Sequence, residues 1–246
     1  MHVDDTVYLI VKFLINFENI TTLYISENGP EWRKSMNDHS ANHIDGEKRD
    51  VLREIANIGS GHAATALAAL LDRPIVQSIP SVMMLPLSDI PGQLGGAEKL
   101  VVAGLLDLTG DISGFFMVVL DFGQADKIIS MMLDKKLRPP KPGTIRRFSA
   151  VEKSVISETV NILGGSYLTA ISEMTNLCAT PSTPFLSIDM VGAVLNIAIA
   201  EAGKSGDFAI LFQSELCNEK DRIIGDVFLI PDKSSCDKIL ESLGYM

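Results

Sequence analysis

The sequence predicts an α/β (α+β) fold: a single pseudo-twofold domain of two tandem helix-plus-strands repeats, with the motif helices exposed on one side of a shared sheet. One observation is that the same spaced residues occur twice, 104 positions apart early in each repeat and 111 positions apart late in each repeat. Another is that a helical pattern in each copy gives way to short β-branched and aromatic runs. Because neither half could cover a sheet alone, we expect the halves to share one core.

The chain before the repeats is an N-terminal extension, residues 1–46, and the predicted domain that contains both repeats spans residues 47–246. The extension has a short apolar stretch, residues 7–17, followed by a polar run that contains Met36. Two interpretations stay open for residues 1–35. Either they result from a misassigned start, or they form a real segment that is disordered or used for docking.

Each repeat begins with a helix that carries two glycines. The helix pattern includes Arg53–Leu67 in repeat one (residues 48–138) and Ser157–Ile171 in repeat two (residues 152–246). With about 100° of rotation per residue, the apolar residues form a stripe that should face the core. In the first helix this stripe consists of Leu52, Ile55, Gly59, Ala63, Ala66 and Leu70, and in the second it contains Val155, Ile156, Ile162 and Leu163.

After its motif helix, each repeat has two or three predicted strands and a closing helix. Clustered prolines predict a linker between the repeats at residues 139–143. Repeat two has seven more residues before its last strand, and the segment Ser187–Gly203 predicts an additional helix there. The predicted strand pairs are residues 99–110 with 113–122 and residues 208–216 with 223–231, and the closing helices are residues 123–133 and 234–244.

The polar residues of each motif helix lie opposite its apolar stripe, within an arc of roughly 60°. A glycine inside a helix costs about 1 kcal/mol relative to alanine, and chance drift would not keep one four-position pattern in both copies. The pattern therefore indicates a function instead of an ordinary solvated surface, with the glycines leaving room for a partner. The face consists of Asp50, Glu54, Asn57 and Gly61 in the first helix and of Ser154, Glu158, Asn161 and Gly165 in the second.

A glutamate and an asparagine three residues apart are suited to phosphoryl transfer. An asparagine amide cannot act as a general base, but it can accept and donate hydrogen bonds and so orient a water molecule for in-line attack on phosphorus. This reaction needs positioning and charge neutralisation more than covalent help from protein side chains. The neighbouring carboxylate can bind a cation on the partner and thereby aim the amide.

Composition argues against several other classes of protein. The formal net charge of −10 disfavours nucleic-acid binding, which depends on Lys and Arg contacts to phosphate. Cys178, Cys217 and Cys236 have no metal-like spacing, so we expect buried free thiols in a reducing compartment. Residues 7–17 are about half as long as a membrane-spanning helix requires and lack signal-peptide features. We therefore expect a cytoplasmic protein with no membrane span.

The doubled pattern [Asp/Ser]-x3-Glu-x2-Asn-x22-Pro resembles the signature of the CheC-type chemotaxis phosphatases. It runs from Asp50 to Pro80 and again from Ser154 to Pro184. The resemblance implies hydrolysis of the aspartyl phosphate on a CheY-like response regulator. By this resemblance, Asn57 and Asn161 place the attacking water, and the glutamates before them pair with the regulator's active-site lysine. Mg²⁺ would belong to the regulator, and no cofactor would be bound by this chain.

The resemblance also implies a second partner, the receptor deamidase CheD. Its docking surface is expected on the additional helix of repeat two, with Asp189 as the candidate contact residue. An equally open interpretation is that Asp189 is an acidic residue in the first turn of that helix, where the helix dipole favours a negative charge.

Two other function classes compete with the phosphatase. The helices could bind a regulator or CheD without catalysis, which predicts complex formation with no faster loss of phosphate. A metabolic α/β enzyme has little support, because the sequence contains no nucleophile–base pair, metal cluster or phosphate-cradling loop, and residues 92–99 lack the spacing of a dinucleotide fingerprint.

Overall fold

A computed structural model describes residues 46–78, 80–135, 137, 146–202, 208–217 and 222–243. The N-terminal extension up to residue 45 and the predicted linker at residues 139–143 lie outside the described residues. In chain order, the helices are α1 (Gly46–Leu71), α2 (Ile90–Gln93, after a 3₁₀ turn at Leu87–Asp89), α3 (Phe122–Met132), α4 (Ala150–Thr175), α5 (Val191–Ala202) and α6 (Lys233–Ser242). The strands are β1 (Val76–Gln77), β2 (Ser81–Pro86), β3 (Leu100–Gly110), β4 (Gly114–Leu120), β5 (Ala179–Pro181), β6 (Phe185–Met190), β7 (Phe208–Cys217) and β8 (Arg222–Pro231).

The strands form one antiparallel sheet in which the two repeats exchange their outer strands. The order is β1–β7–β8–β4–β3–β5, with β2 also paired to β7 and β6 also paired to β3. Strands β1 and β2 of repeat one therefore add to a strand of repeat two, and β5 and β6 of repeat two add to a strand of repeat one. Neither repeat can complete its half of the sheet without the other.

A pseudo-twofold relation passes through the centre of this sheet. Strands β4 and β8 pair there, and Met117 lies directly opposite Phe228, its equivalent under the 111-residue offset. The 104-residue offset relates α1 to α4 and β2 to β6 end for end. The predicted fold class is confirmed, including a shared sheet with the motif helices on one side.

The sheet has a different covering on each face, because successive side chains of a strand point to opposite sides. One face and the helices α1, α3, α4 and α6 form the larger apolar core. The other face carries a smaller core, to which α5 contributes Val191, Val194 and Leu195. The motif helices and the additional helix of repeat two are thus on opposite faces of the sheet.

Residues that repeat at the closing helices are structural. Lys127 of α3 donates to the Arg222 carbonyl at 2.9 Å, and Lys238 of α6 donates to the Asp111 carbonyl at 3.0 Å, which is the equivalent contact under the 111-residue offset. Each closing helix therefore binds a backbone carbonyl at or just before the start of a hairpin strand from the other repeat. The repeated aspartates are N-caps whose carboxylates accept backbone N–H groups, Asp121 in α3 and Asp232 in α6.

Several expectations are confirmed and others are wrong. In the part of the chain that the structure describes, each repeat has four strands and not two or three. None of the three cysteines is a buried thiol, because Cys178 is exposed and Cys217 and Cys236 are half-buried. The four long strands and both closing helices lie within one or two residues of their predicted positions. Residues Ser187–Met190 are wrong as helix, because they belong to β6, whose backbone pairs with β3. Ala66 and Leu70 are exposed and do not belong to the buried stripe of α1. Within the described residues, no helix is long and apolar enough to cross a membrane.

Candidate functional site

The first motif helix places its predicted polar face in solvent. Asp50, Glu54 and Asn57 are exposed on α1, while Leu52 and Ile55 between them are almost fully buried. The Asp50 carboxylate is 75% exposed and accepts from the Arg53 guanidinium at 3.4 Å, an open contact that contributes little to stability. The face is therefore held in place by the apolar side of the same helix.

The second motif helix begins at a well-defined cap. Ser149 and Glu152 form a capping box in which the Glu152 carboxylate accepts from the Ser149 backbone N–H at 2.8 Å. This hydrogen bond is the main reason why the pKa of Glu152 is lowered from its ordinary value. Arg146 binds both Glu152, at 2.5 Å, and Asp126 of α3, so that the first turn of α4 is tied to a neighbouring helix.

Beyond that cap, the polar face of α4 repeats the arrangement of α1. Ser154, Glu158 and Asn161 are exposed, and the Ser154 hydroxyl donates to the Ala150 carbonyl at 3.0 Å. Val155, Ile156 and Leu163 are buried, and Ile162 is half-buried, as the stripe predicted.

The four Glu and Asn side chains of the two faces are free to meet a partner. These side chains belong to Glu54, Asn57, Glu158 and Asn161. Within the described residues, none of the four side chains makes a hydrogen bond or an ion pair. An exposed carboxylate keeps its charge in water and can bind a cationic group, and an exposed amide can bind a water molecule. The arrangement can thus offer a charge and an oriented amide twice.

The glycines of the motif helices divide into two kinds. A Cβ at Gly59 would lie 2.8 Å from Tyr167 Cδ1 and 3.1 Å from Tyr167 Cα, so this glycine allows α1 and α4 to pack closely. A Cβ at Gly165 would meet nothing within 4 Å, and one at Gly61 would lie 3.6 Å from Gln77 Nε2. The gap at Gly165 is open, whereas the gap at Gly61 is lined by Gln77 of the same chain.

Tyr167 links the site helices to the sheet. It is fully buried in α4, and its ring packs against Phe116 and Phe212, one from each repeat, at centroid distances of 6.1 and 5.1 Å. Its hydroxyl lies 3.3 Å from the Ser214 hydroxyl, and burial raises its pKa. The helix that carries the second face is therefore anchored on both halves of the sheet.

Two residues near the faces, Gln77 and Arg146, are not predicted by the sequence analysis. Gln77 on β1 donates from Nε2 to the Asn57 carbonyl at 3.3 Å, and the equivalent position in repeat two is Pro181. Arg146 lies before repeat two begins, so the comparison of the two repeats does not identify it. Gln77 could have been identified from the sequence, because it is a polar residue with no polar counterpart in the second repeat.

Asp189 lies away from the Glu and Asn faces. It is exposed near the end of β6, just before α5, and its carboxylate accepts from the Met190 backbone N–H at 2.8 Å. It is a strand residue, so its interpretation as a first-turn helix residue is wrong. Among the described residues, no group of three or more His, Cys, Asp or Glu could hold a metal ion.

Comparison with known proteins gives the same division of the chain. The profile of the CheC-like family matches residues 47–84 and 151–188, two segments related by the 104-residue offset. The CheY-P phosphatase CheC of Bacillus subtilis is 33% identical over 205 residues, which cover 82% of this chain and 97% of that protein. The chain belongs to the CheC-like family.

Other similar proteins extend the family resemblance to flagellar proteins. The flagellar motor switch phosphatase FliY of Bacillus subtilis is 32% identical over 127 residues, which cover 51% of this chain and 31% of FliY. The crystal structure of Thermotoga maritima FliY matches the fold with a TM-score of 0.64 at 20% identity, over 82% of this CheC-like chain and 98% of that one. The family resemblance expected from the doubled motif is confirmed.

Proposed function

We propose that this CheC-like chain hydrolyses the aspartyl phosphate of a CheY-like response regulator. The observation that carries the proposal is the pair of exposed Glu and Asn side chains on each of two related helices, in a chain that is 33% identical to a CheY-P phosphatase over nearly all of that protein. A solvated surface alone gives no reason for the same two residues to recur at one spacing in both copies.

In the proposed reaction, Asn57 or Asn161 binds a water molecule through its side-chain amide and holds it in line with the scissile bond. The water oxygen forms a bond to phosphorus while the bond from phosphorus to the regulator's aspartyl oxygen breaks. The products are the free aspartate and inorganic phosphate, and the water's protons pass to phosphate and solvent. Mg²⁺ is supplied by the regulator and neutralises phosphate charge, and the chain brings no cofactor of its own.

Glu54 and Glu158 are proposed to bind the regulator's active-site lysine. Each glutamate lies three residues before its asparagine, so it is a neighbour on the same helix face. An ion pair there fixes the position of the amide relative to the phosphate, and positioning is the larger part of what this reaction requires. Asp50, Ser154, Gly61 and Gly165 are proposed as the surrounding partner-binding positions.

A second partner, a CheD-like deamidase, is proposed to bind at α5 and Asp189. What supports this site is its location, because α5 covers the face of the sheet opposite the motif helices and Asp189 is exposed beside it. Both partners could therefore bind at once. Asp189→Lys should weaken binding of the deamidase and leave binding of the regulator unchanged; equal loss of both would contradict the assignment.

The experiment that tests the proposed function measures loss of labelled acyl phosphate from a regulator in large excess over the chain. The double variant Asn57→Ala/Asn161→Ala should slow hydrolysis by about 100-fold or more, because the water is no longer oriented. It should still bind a beryllofluoride-activated regulator. Asn196→Ala, at an exposed position on α5, is the matched control.

The non-catalytic alternative makes a different prediction for the same assay. A binding module would retain the regulator without speeding phosphate loss in the wild type. A double variant as fast as the wild type would contradict the roles given to the asparagines.

A further inference from the structure

The two motif faces are not chemically equivalent. At two matched positions of the arc, the first helix has Asp50 and Glu54, whereas the second has Ser154 and Glu158. Only the last position, the proposed lysine-binding glutamate, is the same in both. The offset of 104 residues makes this a comparison of equivalent positions on equivalent helices.

The exposed side chains bear out this difference. Asp50 is 75% exposed on the first face. On the second face, the Ser154 hydroxyl is already bonded to the Ala150 carbonyl, so it offers a partner only a weak acceptor. Val151 is 60% exposed, more than any other large apolar side chain identified as exposed among the described residues.

Val151 lies on the same side of α4 as Glu158, because seven residues correspond to two helical turns. An apolar side chain left in water at this place loses the free energy that burial would provide, and burial against a partner would recover it. The gap at Gly165 further along the same face is empty. A partner can therefore approach the second face closely at Gly165. At the equivalent gap of the first face, Gly61, the space is lined by Gln77.

Arg53 does not cancel the acidity of the first face. Its guanidinium is 3.4 Å from Asp50, and both side chains are more than half exposed, so the pair is weak and screened by water. On the helix, Arg53 projects about 60° to one side of Asp50, whereas Glu54 projects about 40° to the other. Asn57 projects between Arg53 and Asp50, so the side of Asn57 that faces away from Arg53 presents the carboxylates of Asp50 and Glu54 to a partner.

We propose that the two motif helices bind the response regulator through different chemistry: the first by charge, with Asp50 pairing to a second cationic side chain beside the regulator's lysine, and the second by apolar contact through Val151. This inference rests on the proposed function. The occupant of both faces is the phosphorylated face of the regulator, whose active-site lysine is the proposed partner of Glu54 and Glu158.

The test compares single-site chains at low and high salt. Asn161→Ala leaves only the first site active, and its KM for the phosphorylated regulator should rise as sodium chloride screens the ion pairs. Asn57→Ala leaves only the second site active, and its KM should change much less. Equal salt dependence in the two single-site chains would overturn the proposal.

Exchanging the differing residues gives a stricter test. In the first-site chain, Asp50→Ser should raise the low-salt KM by about two- to fivefold and flatten its salt dependence. In the second-site chain, Ser154→Asp should make the KM clearly more dependent on salt than it is with Ser154. A gain of this kind cannot come from misfolding, and Asp237→Ser, at an exposed position on α6, is the charge-matched control.

The apolar contact is tested in the second-site chain alone. Val151→Ser should raise KM by about three- to tenfold with kcat unchanged, since a binding contact and not the chemistry is lost. Leu70→Ser removes a similarly exposed apolar side chain from α1 and should have no effect. An unchanged KM in Val151→Ser would overturn this part of the proposal. Absence of turnover in the wild type would instead contradict the proposed function itself.

Discussion

At the scale of single residues, glycine has two opposite roles in the motif helices. Gly59 lies against the ring and backbone of Tyr167, where any side chain would push α1 and α4 apart. Gly165 has open space around its missing side chain. The first glycine therefore serves helix packing, and the second leaves the proposed site accessible at a cost in helix propensity.

We predict opposite effects of alanine at these two glycines. Gly59→Ala should lower the free energy of unfolding by about 1–3 kcal/mol, because the contact is with backbone and a packed ring. Gly165→Ala should raise it by up to about 1 kcal/mol and should raise KM at the second site. Urea denaturation measures the first quantity and single-site kinetics the second. A destabilised Gly165→Ala would contradict the open gap.

A half-buried carboxylate on β8, Asp226, gives a prediction about pH. Burial raises the pKa of Asp226, opposed by a hydrogen bond from Gln213 Nε2 at 2.6 Å and by the charge of Lys99. Because the folded state holds this proton more tightly than the unfolded state, Asp226 should lower stability as pH rises through its raised pKa. The contribution of Asp226 to the free energy of unfolding is most favourable when its carboxyl group is protonated.

Asp226→Asn should therefore become more stable relative to the wild type as pH increases from about 4 to 7. The amide keeps an oxygen that can accept from Gln213, so the local geometry is preserved. Urea denaturation at several pH values measures the difference in the free energy of unfolding. A difference that is constant over this range, or that falls with pH, would contradict the assigned shift.

At the scale of elements, the start of α4 depends on Arg146, which lies between the two repeats and binds a residue of each. Arg146 joins Asp126 of α3 to the capping residue Glu152, and its side chain is only 11% exposed. It also lies over the ring of Phe148, which stacks on Phe122. The helix that carries the second face is thus fixed to a closing helix.

Arg146→Ala should lower the free energy of unfolding by about 2–3 kcal/mol, because it leaves two largely buried carboxylates without their cation. The exposed pair between Arg73 and Asp134 is the matched control, and Arg73→Ala should cost less than about 1 kcal/mol. Thermal or urea denaturation measures both. Equal costs for the two variants would contradict the structural role of the cluster.

Long elements could be predicted from sequence better than short ones. The four long strands and the helices that repeat were evident because their patterns span many residues and occur twice. Ser187–Met190 was predicted as helix because an apolar run of this length fits either structure; pairing of Val101 with Asp189 across β3 and β6 decides for strand. Such a long-range backbone contact leaves no local pattern in the chain.

Some side-chain positions could also be predicted from sequence and others could not. Exposure of the Glu and Asn pairs was expected from their place opposite the apolar stripe. The error at Ala66 and Leu70 arises because the buried side of α1 shifts towards Ala64, Leu67 and Leu71 in its second half, which an ideal 100° projection does not reproduce. The contact of Gln77 with Asn57 depends on the position of β1 and could not be deduced.

At the scale of the whole molecule, the exchange of outer strands makes the two repeats one folding unit. The repeated sequence predicted a fused domain, but it could not indicate that β1 and β2 pair with β7, or that β5 and β6 pair with β3. Because β4 and β8 also pair at the centre, each repeat supplies partners for the other along the full width of the sheet.

We therefore predict a single cooperative unfolding transition for both repeats. Hydrogen exchange of β4 in repeat one and β8 in repeat two should lose protection at the same urea concentration. Mass spectrometry of peptides from the two strands measures this. Protection that survives in one repeat after the other has exchanged would contradict a shared sheet that unfolds as a unit.

The central claim is that two amides, one on each helix, each line up a water molecule and act independently of one another. Its most direct measurement is kcat/KM for phosphate release by the wild type, by Asn57→Ala, by Asn161→Ala and by the double variant, at regulator concentrations well below KM. The values for the two single variants should add up to that of the wild type, with almost none left in the double variant. A single variant as inactive as the double, or a double variant as active as the wild type, would contradict the claim.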